Sequence, residues 1–176
     1  MAEIESGLVE PLETIHIMGI CGTAMGSLAG LLVDAGFQVT GSDTAAYPPM
    51  GEFLESLGIR VMEGYNAENL DHNPDLVVVG NVIRAVYEEA QALVDRDLPY
   101  CSFPHLLGEL VLNDASSIVV AGTHGKTTTT AIITWLAQAA NLDPGWLVGG
   151  VVLGLDRSAH KGGGKLFIIE GDEYDT

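Results

Sequence analysis

The stretch Ile118-Val119-Val120-Ala121-Gly122-Thr123-His124-Gly125-Lys126-Thr127 predicts the fold around it. Residues 118–121 have the length and the apolar character of a buried β-strand, and a helical pattern runs from Thr127 to Ala140. A glycine-rich loop between a buried strand and a helix is the context in which phosphate-binding loops occur. The stretch therefore predicts an α/β domain that binds a nucleoside triphosphate at the N-terminus of this helix.

The loop contains the groups that a magnesium nucleotide requires. Lys126 is the predicted catalytic residue because its ammonium group would contact the β and γ phosphates, while the hydroxyl of Thr127 would reach Mg²⁺. The motif departs from its full form, since Val120 stands at the position of the first glycine. The alternative to a phosphate-binding loop is a glycine- and threonine-rich start of a helix that binds no ligand. The predicted ATP-binding residues are Gly122, Thr123, His124, Gly125, Lys126, Thr127 and Thr128.

An acidic cluster follows a second buried strand, Leu166-Phe167-Ile168-Ile169. Glu170 stands at the carboxyl end of this strand, where ligand chemistry collects in open α/β sheets. Because hard cations prefer oxygen ligands, Glu170 is predicted to bind Mg²⁺ together with Thr127. A solvated loop is the alternative, and no role is assigned to Asp172, Glu173 and Asp175.

The first part of the chain alternates predicted strands with predicted helices, which favours a doubly wound parallel sheet. Residues 1–113 are expected to form this Rossmann-like domain, and residues 114–176 the beginning of a P-loop ATPase α/β domain. A second domain of this length would have only two or three strands, so we expect the chain to be part of a longer protein. The predicted strands are 15–18, 37–40, 59–61, 76–79 and 98–102, with a helix at 103–112.

A second glycine loop, Gly19-x-x-Gly22-x-x-x-Gly26, follows the first predicted strand and begins a helix. It lacks the G-x-G-x-x-G spacing of dinucleotide-binding proteins, although Asp43 stands where such proteins place a ribose-binding acid. These features predict the binding of a nucleotide diphosphate. An NAD-dependent oxidoreductase is the alternative, but it leaves the Lys126 loop unexplained. Cys21 is interpreted as a small buried residue and not as a nucleophile.

Composition excludes several classes of function. The chain has 7 basic and 24 acidic residues, a formal charge of −17, and no basic stripe that would bind nucleic acid. Cys21 and Cys101 lack metal-ligand spacing. No apolar run reaches the roughly 18 residues of a membrane span, and no secretory leader is recognisable, so a cytoplasmic protein without a membrane partner is expected.

No role is assigned to the lone histidines His16, His72, His105 and His160, and Trp135 and Trp146 are expected in the core.

Three stretches, residues 15–25, 121–129 and 170–176, together resemble the Mur ligase family of peptidoglycan precursor synthesis. The resemblance implies a UDP-binding domain, a central ATPase domain that uses ATP and Mg²⁺, and a C-terminal domain for the incoming peptide. The first would be complete in this chain, the second partial and the third absent. The residues implied for UDP-N-acetylmuramate are Gly22, Thr23, Ala24, Met25, Ser42, Asp43 and the loop that begins at Asn81.

The resemblance also implies a reaction, ATP-dependent ligation of a carboxylate to an amine. The lactyl carboxylate of UDP-N-acetylmuramate would be activated as an acyl phosphate, and the amine of L-alanyl-γ-D-glutamyl-meso-diaminopimelate would attack it. The branch of the family that attaches this tripeptide in cell-wall recycling is favoured, because the L-alanine-adding branch is expected to have alanine for Gly171 and serine for Tyr174. Ligation of L-alanine is the alternative activity. For these 176 residues alone, a binding module without catalysis is a further alternative. Residues 84–87 depart from the Asn-Pro turn expected in the family.

Overall fold

The computed structural model describes residues 12–113, 115–149, 155 and 157–171. These residues form two compact units, with the boundary along the chain between Glu109 and Leu110. Each unit contains a mainly parallel sheet with helices packed against it, which confirms the predicted α/β class.

The first unit contains a five-stranded sheet in the order β3-β2-β1-β4-β5, and all the pairings are parallel. This order is typical of doubly wound folds, in which ligands bind where the strand order reverses, here at the carboxyl ends of β1 and β4. The strands are β1 (Thr14–Met18), β2 (Gln38–Asp43), β3 (Val61–Glu63), β4 (Leu76–Val79) and β5 (Tyr100–Ser102). The helices are α1 (Thr23–Asp34), α2 (Met50–Ser56), α3 (Glu88–Asp95) and α4 (Phe103–Leu107), with a 3₁₀ helix at Ala67–Leu70. A π-helical segment at Gly108–Leu112 includes the boundary between the two units along the chain.

Two strands of this sheet, β2 and β3, extend beyond the ends predicted for them, while β1 begins one residue earlier and β5 two residues later than predicted. β2 continues to Asp43 because its backbone still pairs with β1 at Ser42 and with β3 at Asp43. β3 begins only at Val61 because the amide of Ile59 donates to Leu54 O and so closes the end of α2. The central strand β1 is buried on both faces, as a strand with neighbours on both sides and helices on both faces requires.

The second unit contains a four-stranded sheet in the order β6-β9-β7-β8. The pairings β6–β9 and β9–β7 are parallel, and β8 is antiparallel to β7. Its elements are β6 (Ser116–Val120), α5 (Lys126–Ala139), β7 (Gly145–Leu147), β8 (Ala159–His160) and β9 (Leu166–Glu170).

One prediction about the core of the second unit was right and one was wrong. Trp146 is buried, but the side chain of Trp135 is 60% exposed. The buried stripe of α5 consists of Thr130, Ala131, Thr134 and Ala137, and Trp135 lies outside it.

Candidate functional sites

The predicted phosphate loop lies between the end of β6 and the first turn of α5. Gly122 and Gly125 have φ angles of 151° and 75°, values that residues with a Cβ rarely adopt. Gly125 is the N-cap of α5 and its carbonyl accepts from the amide of Thr129 at 2.9 Å. The amides of Lys126, Thr127 and Thr128 therefore belong to the first turn of a helix, where they lack intrahelical acceptors and suit an anion.

The two predicted metal-binding residues are in contact. The Thr127 hydroxyl donates to Glu170 Oε1 at 2.7 Å, and Glu170 Oε2 accepts from the amide of Gly149 at 2.6 Å. They meet because Glu170 ends β9 and pairs in register with Val120, the last residue of the strand that leads into the loop. Asp172, Glu173 and Asp175 lie outside the described residues.

This pair of oxygen donors fits Mg²⁺ bound to a nucleotide. No group of three or more His, Cys, Asp or Glu side chains suited to a metal occurs in the part of the chain that the structure describes. Mg²⁺ does not require one, since it is commonly held by one or two protein oxygens together with substrate phosphates and water. The hydroxyl of Thr127 and the carboxylate of Glu170 supply such oxygens beside the helix terminus.

The second glycine loop lies at the carboxyl end of β1. The amides of Gly19 and Ile20 both donate to Ser42 O, at 2.8 and 3.1 Å, and the Cys21 amide donates to Asp43 Oδ2 at 2.8 Å. The end of β2 thus determines the path of the loop that follows β1. α1 begins immediately afterwards, with Gly22 as its N-cap and with Gly22 and Thr23 exposed.

The predicted substrate-binding residues differ in accessibility. The Ser42 side chain is fully buried, and its hydroxyl has no hydrogen-bond partner among the described residues, so Ser42 acts on the loop through its carbonyl. Met25 is also buried, whereas Asn81 is exposed and Ala24 is half-buried.

The loop that contains Asn81 lies against the glycine loop. Gly80 N donates to Met18 O at 3.1 Å, and a Cβ placed on Gly19 would lie 3.3 Å from Val82 Cγ2. Where the family resemblance led us to expect Asn-Pro, the amide of Tyr87 donates to Arg84 O at 3.0 Å and closes a turn. The structure therefore brings the glycine loop, the end of β2 and the Asn81 loop to one edge of the sheet.

Cys21 is half-buried, not buried as predicted, but its environment agrees with its interpretation as a non-nucleophilic residue. Burial, and then the negative charge of Asp43, raise the pKa of the Cys21 thiol to about 11. A thiolate is the reactive form of cysteine, so this thiol is held in its unreactive form near neutral pH.

The sequence analysis missed a buried polar network beneath this edge. His16 Nε2 lies 2.7 Å from Glu89 Oε1, both side chains are fully buried, and His16 Nδ1 lies 2.8 Å from Thr40 Oγ1. Glu89 Oε2 accepts from Asn69 Nδ2 at 3.2 Å. No local pattern marks these residues, because His16 and Glu89 are 73 positions apart.

Comparison with known proteins identifies the family. The profile described as "Mur ligase family, catalytic domain" matches residues 14–114, more than half of the chain. The chain belongs to the Mur ligase family. Its similarity to individual Mur ligases extends further, since an alignment over 92% of the chain also includes the phosphate loop.

Three Mur ligases show the degree of similarity. UDP-N-acetylmuramate--L-alanyl-gamma-D-glutamyl-meso-2,6-diaminoheptandioate ligase of Escherichia coli (strain K12) is 46% identical over 161 residues, 92% of this chain and 35% of that protein. The crystal structure of the corresponding diaminopimelate ligase from Neisseria meningitides superposes with a TM-score of 0.88 at 43% identity, covering 94% of this chain and 54% of that one. UDP-N-acetylmuramate--L-alanine ligase of Chlorobium phaeobacteroides (strain BS1) is 40% identical over 161 residues, 92% of this chain and 34% of that protein. The chain spans about a third of the length of these curated relatives.

The search for membrane-spanning helices was negative within the described ranges. Each described helix is too short or too polar to cross a bilayer.

Proposed function

We propose that this chain is the nucleotide-binding part of an ATP-dependent amide ligase that joins UDP-N-acetylmuramate to L-alanyl-γ-D-glutamyl-meso-diaminopimelate. The contact of 2.7 Å between Thr127 and Glu170 beside the Lys126 loop supports the proposal, because it brings together at the start of α5 the two oxygen groups predicted to bind Mg²⁺. Tripeptide ligation is favoured over L-alanine ligation because the similar tripeptide ligases are 43–46% identical and the similar L-alanine ligases 36–40%.

The second unit would bind ATP and neutralise its charge. The amides at the start of α5 would donate to phosphate oxygens, and the ammonium group of Lys126 would lie beside the β and γ phosphates. Thr127 and Glu170 would hold Mg²⁺, which neutralises phosphate charge when bound. Lys126, the helix amides and Mg²⁺ would supply local positive character in a chain whose formal charge is −17.

The proposed reaction has two steps, and catalysis rests on positioning and charge neutralisation. A carboxylate oxygen of the muramate lactyl group attacks the γ-phosphorus, the bond to the β-phosphate oxygen breaks, and ADP leaves. The amine of the tripeptide then attacks the carbonyl carbon of the acyl phosphate, which forms the amide and releases phosphate and a proton. Lys126 acts in the first step, since it stabilises charge on the transferred phosphoryl group.

The first unit would bind UDP-N-acetylmuramate at the carboxyl edge of its sheet. The segments that meet there are Gly22–Met25, Ser42–Asp43 and the loop that begins at Asn81. The amides of Thr23, Ala24 and Met25 lie in the first turn of α1, where they have no acceptors within the helix, and they suit the diphosphate, which is the ligand group that helix N-termini bind in doubly wound folds.

Titration calorimetry on this chain tests both nucleotide sites. We expect UDP-N-acetylmuramate to bind and NAD⁺ not to bind, and binding of NAD⁺ alone would support the oxidoreductase alternative.

MgATP should bind the unaltered chain and bind Lys126→Ala at least tenfold more weakly, on the basis of a lost charged hydrogen bond. Lys161→Ala is the matched control, because it removes the same charge from an exposed position outside the loop. Equal MgATP affinity for both variants would contradict the assignment of Lys126.

The choice of amine substrate is tested on the longer protein. ADP formation with UDP-N-acetylmuramate should depend on the tripeptide. Dependence on L-alanine instead would assign the protein to the other branch of the family.

A further inference from the structure

Tyr65 lies where the three segments of the proposed UDP-N-acetylmuramate site converge. Its hydroxyl lies 3.3 Å from Asp43 Oδ1, and a Cβ placed on Gly19 would lie 3.9 Å from the same hydroxyl. Its ring stacks on that of Tyr87, at the end of the Asn81 loop, with centroids 4.9 Å apart and an interplanar angle of 23°. One side chain thus contacts the end of β2 and the segment that follows β4, and its hydroxyl lies close to Gly19 at the end of β1.

We propose that Tyr65 is a positioning residue for nucleotide binding, which acts by holding Asp43 and, through Asp43, the amides of the glycine loop. The proposal rests on the function proposed above for the first unit. It assigns to Asp43 the role of holding the glycine loop through the Cys21 amide, and to the amides at the start of α1, into which that loop leads, the role of contacting the nucleotide.

The hydrogen bonds of Asp43 support this division of roles. Asp43 Oδ2 accepts from the Cys21 amide at 2.8 Å, and Oδ1 accepts from the Thr44 amide at 2.7 Å and the Thr44 hydroxyl at 3.2 Å. Tyr65 supplies the fourth donor. Three of these four donors contact Oδ1 and one contacts Oδ2, and because a carboxylate offers about four acceptor sites, they take up most of the capacity that a ribose-binding acid would offer its ligand.

The protonation of Tyr65 suits a donor. Burial, and then the charge of Asp43, raise the pKa of the Tyr65 phenol above its ordinary value, so its hydroxyl keeps its proton at neutral pH. The contact of 3.3 Å is longer than the usual O–H···O distance, so the effect of losing it should lie at the low end for a bond to a charged group.

The backbone of Tyr65 is held by the buried polar network. The amide of Glu89 donates to Tyr65 O at 3.1 Å, and Asn69 Nδ2 donates both to Gly64 O at 2.8 Å and to Glu89 Oε2. Glu89 is fully buried against His16 of the central strand. These bonds hold the carbonyls of residues 64 and 65, and Gly64 N donates to Asp43 O at 2.8 Å, so the tyrosine hydroxyl has a defined position from which to orient the carboxylate.

The test compares Tyr65→Phe with Tyr47→Phe in this chain. Both variants remove one phenolic hydroxyl, and Tyr47 is 74% exposed, so it is the matched control. We expect Tyr65→Phe to raise the dissociation constant for UDP-N-acetylmuramate about threefold to tenfold, from the loss of one weak hydrogen bond to a charged group. Tyr47→Phe should not change it. An unchanged constant in Tyr65→Phe would overturn the proposal.

Amide hydrogen exchange separates positioning from a general loss of stability. In the ligand-free chain, Tyr65→Phe should speed exchange in peptides that contain residues 19–22 and leave exchange in β4 unchanged. Equal acceleration in β4 would indicate general destabilisation and would overturn the proposal, as would unchanged exchange at 19–22. This measurement needs no ligand, so it tests Tyr65 even if UDP-N-acetylmuramate fails to bind the unaltered chain, a failure that would count against the proposed function.

A double-mutant cycle tests whether Tyr65 acts through Asp43. Asp43→Asn keeps the shape of the side chain but weakens its acceptors. If the two residues act as one unit, the double variant should bind UDP-N-acetylmuramate about as weakly as Asp43→Asn alone. Fully additive effects would show that Tyr65 acts independently of Asp43 and would refute the positioning role.

Discussion

Replacing Glu89 by alanine removes a fully buried carboxylate from the first unit. Glu89 belongs to the first turn of α3, and its two oxygens contact His16 on β1 and Asn69 on the 3₁₀ helix. Because one side chain joins three elements of the unit, its loss should lower the stability of the unit as a whole.

The expected loss follows from the contacts that remain. Asn69 keeps its bond to Gly64 O, and the other ring nitrogen of His16 keeps its bond to Thr40, but His16 Nε2 loses the contact of 2.7 Å. An unsatisfied buried polar group costs about 1–3 kcal/mol, and the cavity left by the side chain adds to this, so we expect a loss of roughly 2–4 kcal/mol. With an m-value of about 2 kcal/mol/M, the urea midpoint should fall by about 1–2 M.

Far-UV circular dichroism during urea titration would measure this shift, and hydrogen-exchange mass spectrometry would locate it in β1 and β2. Both tryptophans lie in the second unit, so their fluorescence reports separately on that unit. Glu88→Ala is the control, since it removes the same charge from an exposed neighbour in the same helical turn. The reasoning would be refuted if Glu89→Ala and Glu88→Ala had the same midpoint.

Three further predictions concern other sites. With a pKa of about 11 in place of 9.0, Cys21 should react with iodoacetamide about a hundredfold more slowly at pH 8 than an unperturbed thiol; an ordinary alkylation rate in a Cys101→Ser background would contradict this. Hydrogen bonds from Thr14, chiefly from its hydroxyl and then from its amide, lower the pKa of Asp75. The stability that these bonds contribute is therefore present above the ordinary carboxyl pKa of 3.8 and is lost as the pH falls through the lowered pKa. Asp75→Asn should therefore lower the melting temperature at pH 7 and weaken its decline below pH 4, and parallel pH profiles would argue against this linkage. Gly145→Ala should destabilise the second unit by about 1–3 kcal/mol, measured by tryptophan fluorescence in urea, because the added Cβ would overlap the backbone oxygen of Lys161 and the Phe167 ring; an unchanged midpoint would show that the site has room.

Much of the fold could be predicted because the deciding signals are local. The bounds of β4 were predicted as Leu76–Val79 because four consecutive apolar residues, three of which are buried in the structure, stand between Pro74 and Gly80. The phosphate loop was predicted because strand, glycines and helix are consecutive in the chain. β7 and β8 were not predicted, since strands of three and two residues show no periodicity and form through their pairing with β9 and with each other.

The candidate sites divide in the same way. Thr127 and Glu170 are 43 residues apart, yet their meeting was predictable, since residues at the carboxyl ends of neighbouring parallel strands lie at one edge of a sheet. The roles of Tyr65 and of the His16–Glu89 pair were not predictable, because nothing near either residue in sequence indicates its partner.

The sequence by itself determined the class of fold, the phosphate loop and the glycine loop, because each depends on side-chain periodicity and on glycine's backbone freedom within a few consecutive residues. Only the tertiary structure decided which polar groups support the first site. Asp43 becomes a loop-organising residue through donors from Cys21 and Tyr65, and Glu89 becomes a core residue through His16. The physical reason is that a buried carboxylate is stable only where donors surround it, and the donors here come from separate segments that folding brings together.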